Sequence, residues 1–277
     1  MKIIKKKSLG QNFLQDESIL DKIILAGKLV PEDNVLEIGP GEGVLTKKLI
    51  ENVGQVVAIE KDSRLEDKNS SLQQIQKSYN KQDLLQSKLK IYFDDILDIN
   101  LPSILEENGF EEKGYKVIAN IPYYITGKIL RLLFQQRPLP KIIVLLVQKE
   151  VADRIEARNG RQSILSLSVQ YYAEVEVVSY VPREAFDPAP KVDSTILKIV
   201  PFQNTDHNEE NAEKFFKLVK IGFSSPRKVL INNLKNGLKI SKAEIEEVFL
   251  KMSLDVNIRA EKLQVGEWKK LVELLDK

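Results

Sequence analysis

Cysteine is absent from the 277 residues, and histidine occurs once, at His207. The first absence excludes disulfides, thiolate nucleophiles and cysteine-held zinc. The second removes a Ser-His-Asp triad unless His207 itself serves, and that residue lies in a polar, loop-like stretch, 203–210. Acid-base chemistry therefore falls to carboxylates, Lys or Tyr, and a mechanism needing no side-chain base suits the composition. No metal site is expected. Long apolar runs are missing too: the longest aliphatic stretch is 142–147, far short of a bilayer's thickness, so no transmembrane helix is expected. The N-terminus, Met1-Lys-Ile-Ile-Lys-Lys-Lys7, is basic, but no apolar stretch of signal length follows it. A chain without a secretory signal, working in the cytoplasm, is the expectation.

What is present is an ordinary globular balance, 43% hydrophobic and 30% charged, at a length that suits one large domain plus a small one. Net charge is only +2, yet its distribution is uneven. Residues 217–242 hold seven Lys or Arg and no acid, and 128–161 hold eight basic residues against three acidic. Two such stretches flanking a base-binding site favour contact with phosphates.

Hydrophobic periodicity predicts a helix within 16–30, a strand at 34–38, a helix at 43–52 and a strand at 55–60. The segment 61–90 reads as one helix plus a mobile insertion. Strands follow at 90–93, 115–119, 141–147, 174–180 and 192–200, with helices at 126–134, 149–157 and 163–172. Strands alternating with helices imply an α/β fold with a mostly parallel sheet covered on both faces. Beyond residue 201 only helical periodicity remains, which predicts domains at 1–201 and 202–277, the second all-helical.

Two motifs carry chemistry. Glu37-Ile-Gly-Pro-Gly-Glu-Gly43 follows the first strand of a βαβ unit. Gly39 and Gly41 permit a sharp turn and let a ligand lie against the main chain. The spacing is Gly-x-Gly-x-Gly, with the third glycine one residue earlier than in dinucleotide enzymes, and Glu37 precedes it. An acidic lining suits a cofactor with a cationic amino-acid end and no phosphate. Glu60 ends the second strand, 21 residues past Gly39, the place of a carboxylate that accepts from ribose hydroxyls. Asp95 ends the third strand and is placed to accept from the adenine amine of an adenosyl group, whereas Asp94 reads as solvated.

The second motif is Asn120-Ile-Pro-Tyr123. An exocyclic amine on an aromatic base is a poor nucleophile because its lone pair is conjugated with the ring. The Asn120 side-chain carbonyl and the Ile121 backbone carbonyl, the latter kept out of a helix by Pro122, can grip such an amine. Tyr123 offers a flat face for stacking, a contact of about 1–3 kcal/mol. Taken alone, the motif leaves cytosine, adenine and a side-chain amide open as acceptors.

Five blocks in one order then narrow the reading: Gln11-Asn-Phe-Leu14, the glycine turn, Asn120-Ile-Pro-Tyr123, Phe186-Asp-Pro-Ala-Pro-Lys-Val-Asp-Ser194 and Arg227-Lys-Val-Leu-Ile-Asn-Asn-Leu234. Over nearly the whole chain the sequence resembles the ribosomal RNA adenine N6-dimethyltransferases, most closely their bacterial small-subunit (16S) branch. The resemblance implies a Rossmann-like methyltransferase domain with a small helical C-terminal domain that binds RNA or the ribosome. It implies S-adenosylmethionine as donor and the transfer of two methyl groups to each of two adjacent adenosines near the 3′ end of 16S rRNA. The implied partner is an immature 30S particle, met by a monomer. By position it assigns Asn12, Leu14, Gly39, Glu60, Asp95 and Asn120 to the cofactor, and the reading of the glycine turn adds Glu37 and Gly41. Asn120, Ile121, Pro122, Tyr123 and a second aromatic, Phe186, fall to the target base. Tyr124, Tyr171 and Tyr172 read as packing residues. The chain departs from the family in its long stretch between Glu60 and Asp95, and in Tyr124, where Asn is frequent. Two rivals remain: a 23S rRNA adenine methyltransferase conferring macrolide resistance, and a non-enzymatic RNA-binding assembly factor on the same fold.

Overall fold

The computed structural model describes residues 13–80, 88–110, 114–121, 125–203 and 209–276. A two-residue strand β1 (Phe13–Leu14) precedes helix α1 (Glu17–Ala26), whose N-cap Asp16 accepts from the Ser18 N–H. Then follow β2 (Asn34–Ile38), α2 (Val44–Asn52), β3 (Gln55–Glu60), α3 (Ser71–Asn80) and β4 (Leu89–Phe93). Next come α4 (Leu101–Glu107), β5 (Tyr115–Asn120), α5 (Thr126–Gln135), β6 (Ile143–Gln148), α6 (Lys149–Glu156) and α7 (Ile164–Gln170). The strands β7 (Ala173–Val181), β8 (Phe186–Asp187) and β9 (Ser194–Pro201) lead to helices α8 (Glu209–Gly222), α9 (Leu230–Leu238), α10 (Lys242–Lys251) and α11 (Val265–Leu275).

The apolar runs explain the layering. β2, β3, β5 and β6 are buried almost end to end, as strands covered by helices on both faces must be. They form the parallel centre of a seven-stranded sheet of order β4-β3-β2-β5-β6-β9-β7. β9 runs antiparallel to both β6 and β7. β7, at one edge, alternates exposed and half-covered residues along its middle, the pattern of a strand with one open face.

Two features differ from the sequence reading. Helix α4 was not anticipated. Its Asn100 side chain accepts from the Ser103 N–H at 3.3 Å and Pro102 sits in its first turn, both helix-start signals in a run too short to show a period. The segment around Phe186, between the expected strands 174–180 and 192–200, pairs with the N-terminal arm: Leu14 faces Phe186 and Phe13 faces Asp187 in a two-stranded antiparallel ribbon. Of the long 61–90 stretch, the structure describes α3 and a 3₁₀ turn at Ser63–Glu66; the expected mobile insertion falls on 81–87, outside the described residues, as does His207.

Contacts divide the chain into two units. One comprises the described residues up to Ala152 with Ala173–Gln203; the other comprises Asp153–Tyr172 with the described residues from Glu209 onward. The boundary expected near 201 is thus one of three crossings. The other two arise because α7 turns Leu167 and Tyr171 into the core of the helical unit, beside Phe215, Leu234, Phe249 and Trp268. Tyr171 lies 4.4 Å from Phe215 and 4.9 Å from Tyr172, centroid to centroid.

Candidate active site

Strand order alone marks a place for ligands. From β2 the chain builds outward through β3 to β4, then returns to add β5 on the other side of β2. Such a switch point leaves a crevice at the carboxyl ends of the strands. There β2 ends in the glycine turn, β3 in Glu60 and β5 in Asn120, and the loop after β4 carries Asp95.

Gly39, Gly41 and Gly43 all have positive φ, +72°, +58° and +87°, a region that L side chains rarely adopt. Their surroundings differ. A Cβ on Gly39 would meet just one nearby atom, the Asn120 backbone oxygen at 3.8 Å. That position keeps the main chain uncovered and lays the glycine turn against the second motif. A Cβ on Gly43 would come within 2.6 Å of Ile75 Cδ1 on α3. Gly43 is also the left-handed N-cap of α2. The third glycine is therefore a packing device between α2 and α3.

Glu60 is 6% exposed, and both its oxygens are held by main chain. The Gly41 N–H donates to Oε2 at 2.9 Å and the Asp62 N–H to Oε1 at 2.7 Å. Burial raises its pKa, while these two donors pull it back down. The carboxylate thus ties the end of β3 to the glycine turn on β2, with lone pairs to spare for further donors. Asp95 is half-buried. Its Oδ1 accepts from the Leu97 N–H at 3.0 Å and its Oδ2 pairs with the Lys61 ammonium. Burial pushes its pKa up, but Lys61 and the Leu97 N–H outweigh that and hold it below the usual carboxylate range. Asp94 beside it is exposed.

Glu37 does not present the acidic lining expected of it. It is 1% exposed, and its Oε2 has no hydrogen-bond partner among the described residues. Loss of water drives its pKa up to about 8, helped by the nearby Glu60 charge, so the group is neutral at pH 7. The Thr46 hydroxyl of α2 lies near enough to lower the pKa somewhat, yet its geometry falls short of a hydrogen bond. Glu37 is a floor beneath the turn.

Asn120 is half-buried at the end of β5, opposite Leu146 of β6, and Ile121 behind it is 2% exposed. Pro122, Tyr123 and Tyr124 lie outside the described residues, as does Asn12. Leu14 and Phe186 are each 4% exposed and belong to one apolar cluster with Leu45 and Ile196. Cross-strand pairing with Leu14 draws the Phe186 ring inward, whereas a ring facing the target base was expected. The Gln15 N–H donates to the Ala185 carbonyl at 2.9 Å, extending the ribbon.

Sequence reasoning missed Lys61, Thr46 and the Leu14–Phe186 pairing. Lys61 adjoins Glu60 in the chain, but its partner is 34 residues away, and no spacing rule connects the two. Among the described residues no cluster is arranged to hold a metal ion, and no helix is long and apolar enough to cross a membrane.

The chain is similar to known proteins in sequence and in fold. A family model described as ribosomal RNA adenine dimethylase matches residues 3–277. Ribosomal RNA small subunit methyltransferase A of Dehalococcoides mccartyi is 42% identical over 266 residues, covering 96% of this chain and 87% of that protein. Among solved structures, a dimethyladenosine transferase from Plasmodium falciparum is similar with a TM-score of 0.76 and 30% identity, covering 94% of this chain and 96% of the other. The 23S rRNA methyltransferase ErmE is similar with a TM-score of 0.73 and 25% identity, covering 96% and 100%.

Proposed function

Because the chain belongs to the ribosomal RNA adenine dimethylase family, we propose that it dimethylates N6 of two adjacent adenosines near the 3′ end of small-subunit rRNA. The donor is S-adenosylmethionine, and the setting is an immature 30S particle met by a monomer in the cytoplasm. One observation carries the reading: the glycine turn, Glu60, Asp95 and Asn120 converge on the β2/β5 switch point, with Gly39 against the Asn120 backbone. The 42% identity to a protein named for the small subunit favours 16S over 23S rRNA.

The residues suit the donor. Gly39 and Gly41 leave main chain open to a ligand, Glu60 suits two ribose hydroxyls and Asp95 an adenine amine. The resemblance assigns Asn12 and Leu14 to the donor as well, and Glu37 supports the turn from below. When bound, S-adenosylmethionine supplies an electrophilic methyl group on a sulfonium. The protein's task is to make an adenine amine nucleophilic and aim it. In the first transfer Asn120 Oδ1 and the Ile121 carbonyl accept the two N6–H bonds, and in the second one of them accepts the N6–H that remains, drawing the nitrogen toward tetrahedral geometry and freeing its lone pair; each transfer releases one N6 proton to solvent. Positioning of this kind needs no strong base. Pro122 keeps the Ile121 carbonyl available, and Tyr123 stacks on the base. The resemblance assigns Phe186 to the opposite wall of the base.

The test is methyl transfer from labelled donor to immature 30S particles, with dimethyladenosine mapped in rRNA from a deletion strain. Loss of the 16S marks with 23S unchanged is expected. Loss confined to 23S would select the macrolide-resistance activity, and binding without turnover would leave an assembly factor.

A further inference from the structure

Two carboxylates suit the adenosine of the donor, and one of them already carries a cation. Glu60 closes β3, and Lys61 is the next residue. Its ammonium reaches across to Oδ2 of Asp95 in the loop after β4. The Lys61 side chain therefore leads from the carboxylate for the ribose to the carboxylate for the adenine amine. That is the line an adenosine held at both ends would follow.

The two partners differ in how firmly they are held. Asp95 is fixed by its own loop. Its N–H donates to Asp94 Oδ1 at 2.7 Å, and the Leu97 N–H donates to its Oδ1 at 3.0 Å. Its carbonyl accepts from the Asp98 and Ile99 N–H groups at 2.9 and 3.0 Å. The Asp94 N–H donates to the Glu60 carbonyl at 2.9 Å, which sets the loop against the end of β3. The Asp95 side chain is 18% exposed, whereas that of Lys61 is 57% exposed, on a flexible four-carbon stem. Lys128 of α5 also favours the charged form of Asp95, so the carboxylate does not depend on Lys61 alone to stay ionised. The ammonium can leave while the acceptor stays in place.

We propose that Lys61 competes with the adenine amine of the donor for Asp95, and so sets how tightly this chain binds the donor. The proposal rests on the S-adenosylmethionine reading and deepens it at that site. The amine takes the lone pairs of Oδ2 that the ammonium gives up as it turns to water. An exposed ion pair contributes little, so the competition tunes affinity and does not block the site. Lys61 lies outside the five blocks that carry the family resemblance, in the stretch between Glu60 and Asp95 where the chain departs from the family in length.

The full-length protein is titrated by calorimetry with S-adenosylhomocysteine. This probe lacks the sulfonium charge, so relief of repulsion from that charge plays no part. Lys61→Met, which keeps an unbranched stem without the charge, should tighten binding about two- to fivefold, the range open to an exposed ion pair. The gain should shrink at about 1 M salt, where screening weakens the pair in the unaltered protein as well. S-inosylhomocysteine has a carbonyl in place of the amine and should gain nothing. Lys61→Gln is the second neutral variant, expected to act in the same direction, and it serves if Met at this exposed place promotes association. Weaker or unchanged binding of S-adenosylhomocysteine by the neutral variants overturns the competition, as does an equal gain for the inosyl compound. Asp95→Ala separates the two levels. It should weaken S-adenosylhomocysteine about tenfold, the scale of a lost hydrogen bond to a charged group, and Lys61→Met should then add nothing. If the competition fails while Asp95→Ala still weakens binding, the donor reading stands without it. If Asp95→Ala leaves the affinity intact, the assignment of Asp95 to the donor falls, and the competition with it.

Discussion

At the scale of single residues, Glu37 makes the least expected prediction. In the folded chain it keeps its proton up to about pH 8; its ordinary value is 4.5. Folding therefore binds a proton between those limits. The stability this group contributes is fully present below about pH 4.5 and is lost as pH rises through about 8. Glu37→Gln should flatten the fall in melting temperature between pH 6 and 9. An unaltered slope would show that Glu37 is ionised as folded. For Asn120 the expectation is kinetic. Asn120→Ala should lower turnover on the order of 100-fold, the scale of losing one aimed polar contact in a transition state, with rRNA affinity largely kept. Equal losses of both would contradict the amine grip. The identities of these residues were legible from motif spacing. Their protonation was not, because it depends on burial under α2, and no local pattern encodes that.

At the scale of elements, the glycine turn separates two jobs that look alike in sequence. Gly43→Ala would place a methyl 2.6 Å from Ile75 Cδ1 at a φ of +87°. It should cost on the order of 2–3 kcal/mol of stability, read as a lower midpoint in urea. Gly39→Ala meets no close neighbour but takes the same kind of strain, so it should mainly weaken donor binding, measured by calorimetry. Comparable destabilisation by the two would argue against the division of labour. The central parallel strands were readable because each is a mostly apolar run bounded by a glycine or a polar residue. Helix α4 and the β1–β8 ribbon were not. Seven residues barely complete two turns, and two-residue strands have no period, so their existence depends on partners distant in the chain.

At the scale of the whole molecule, the three crossings decide what can be cut. A chain ended after Gln203 keeps α7 but loses α8 to α11, and with them the side chains that bury Leu167 and Tyr171. Such a truncation should bind a hydrophobic dye and aggregate, whereas removal of 153–172 as well should relieve both effects. If the simple truncation stays monomeric and dye-free, the packing of α7 with the later helices is dispensable. Periodicity showed where the sheet gives way to helices near 201. It could not show that 153–172 belongs with those later helices, because helical spacing names a buried face without naming its partner.

The same division sets a schedule for synthesis. Tyr171 emerges from the ribosome 44 residues before Phe215 and 100 before Leu271, the last buried side chain of its core. At usual elongation rates α7 waits on the order of 5–20 s for that core to be finished. During those seconds each nascent copy carries an uncovered apolar ridge into the crowd around its own polysome.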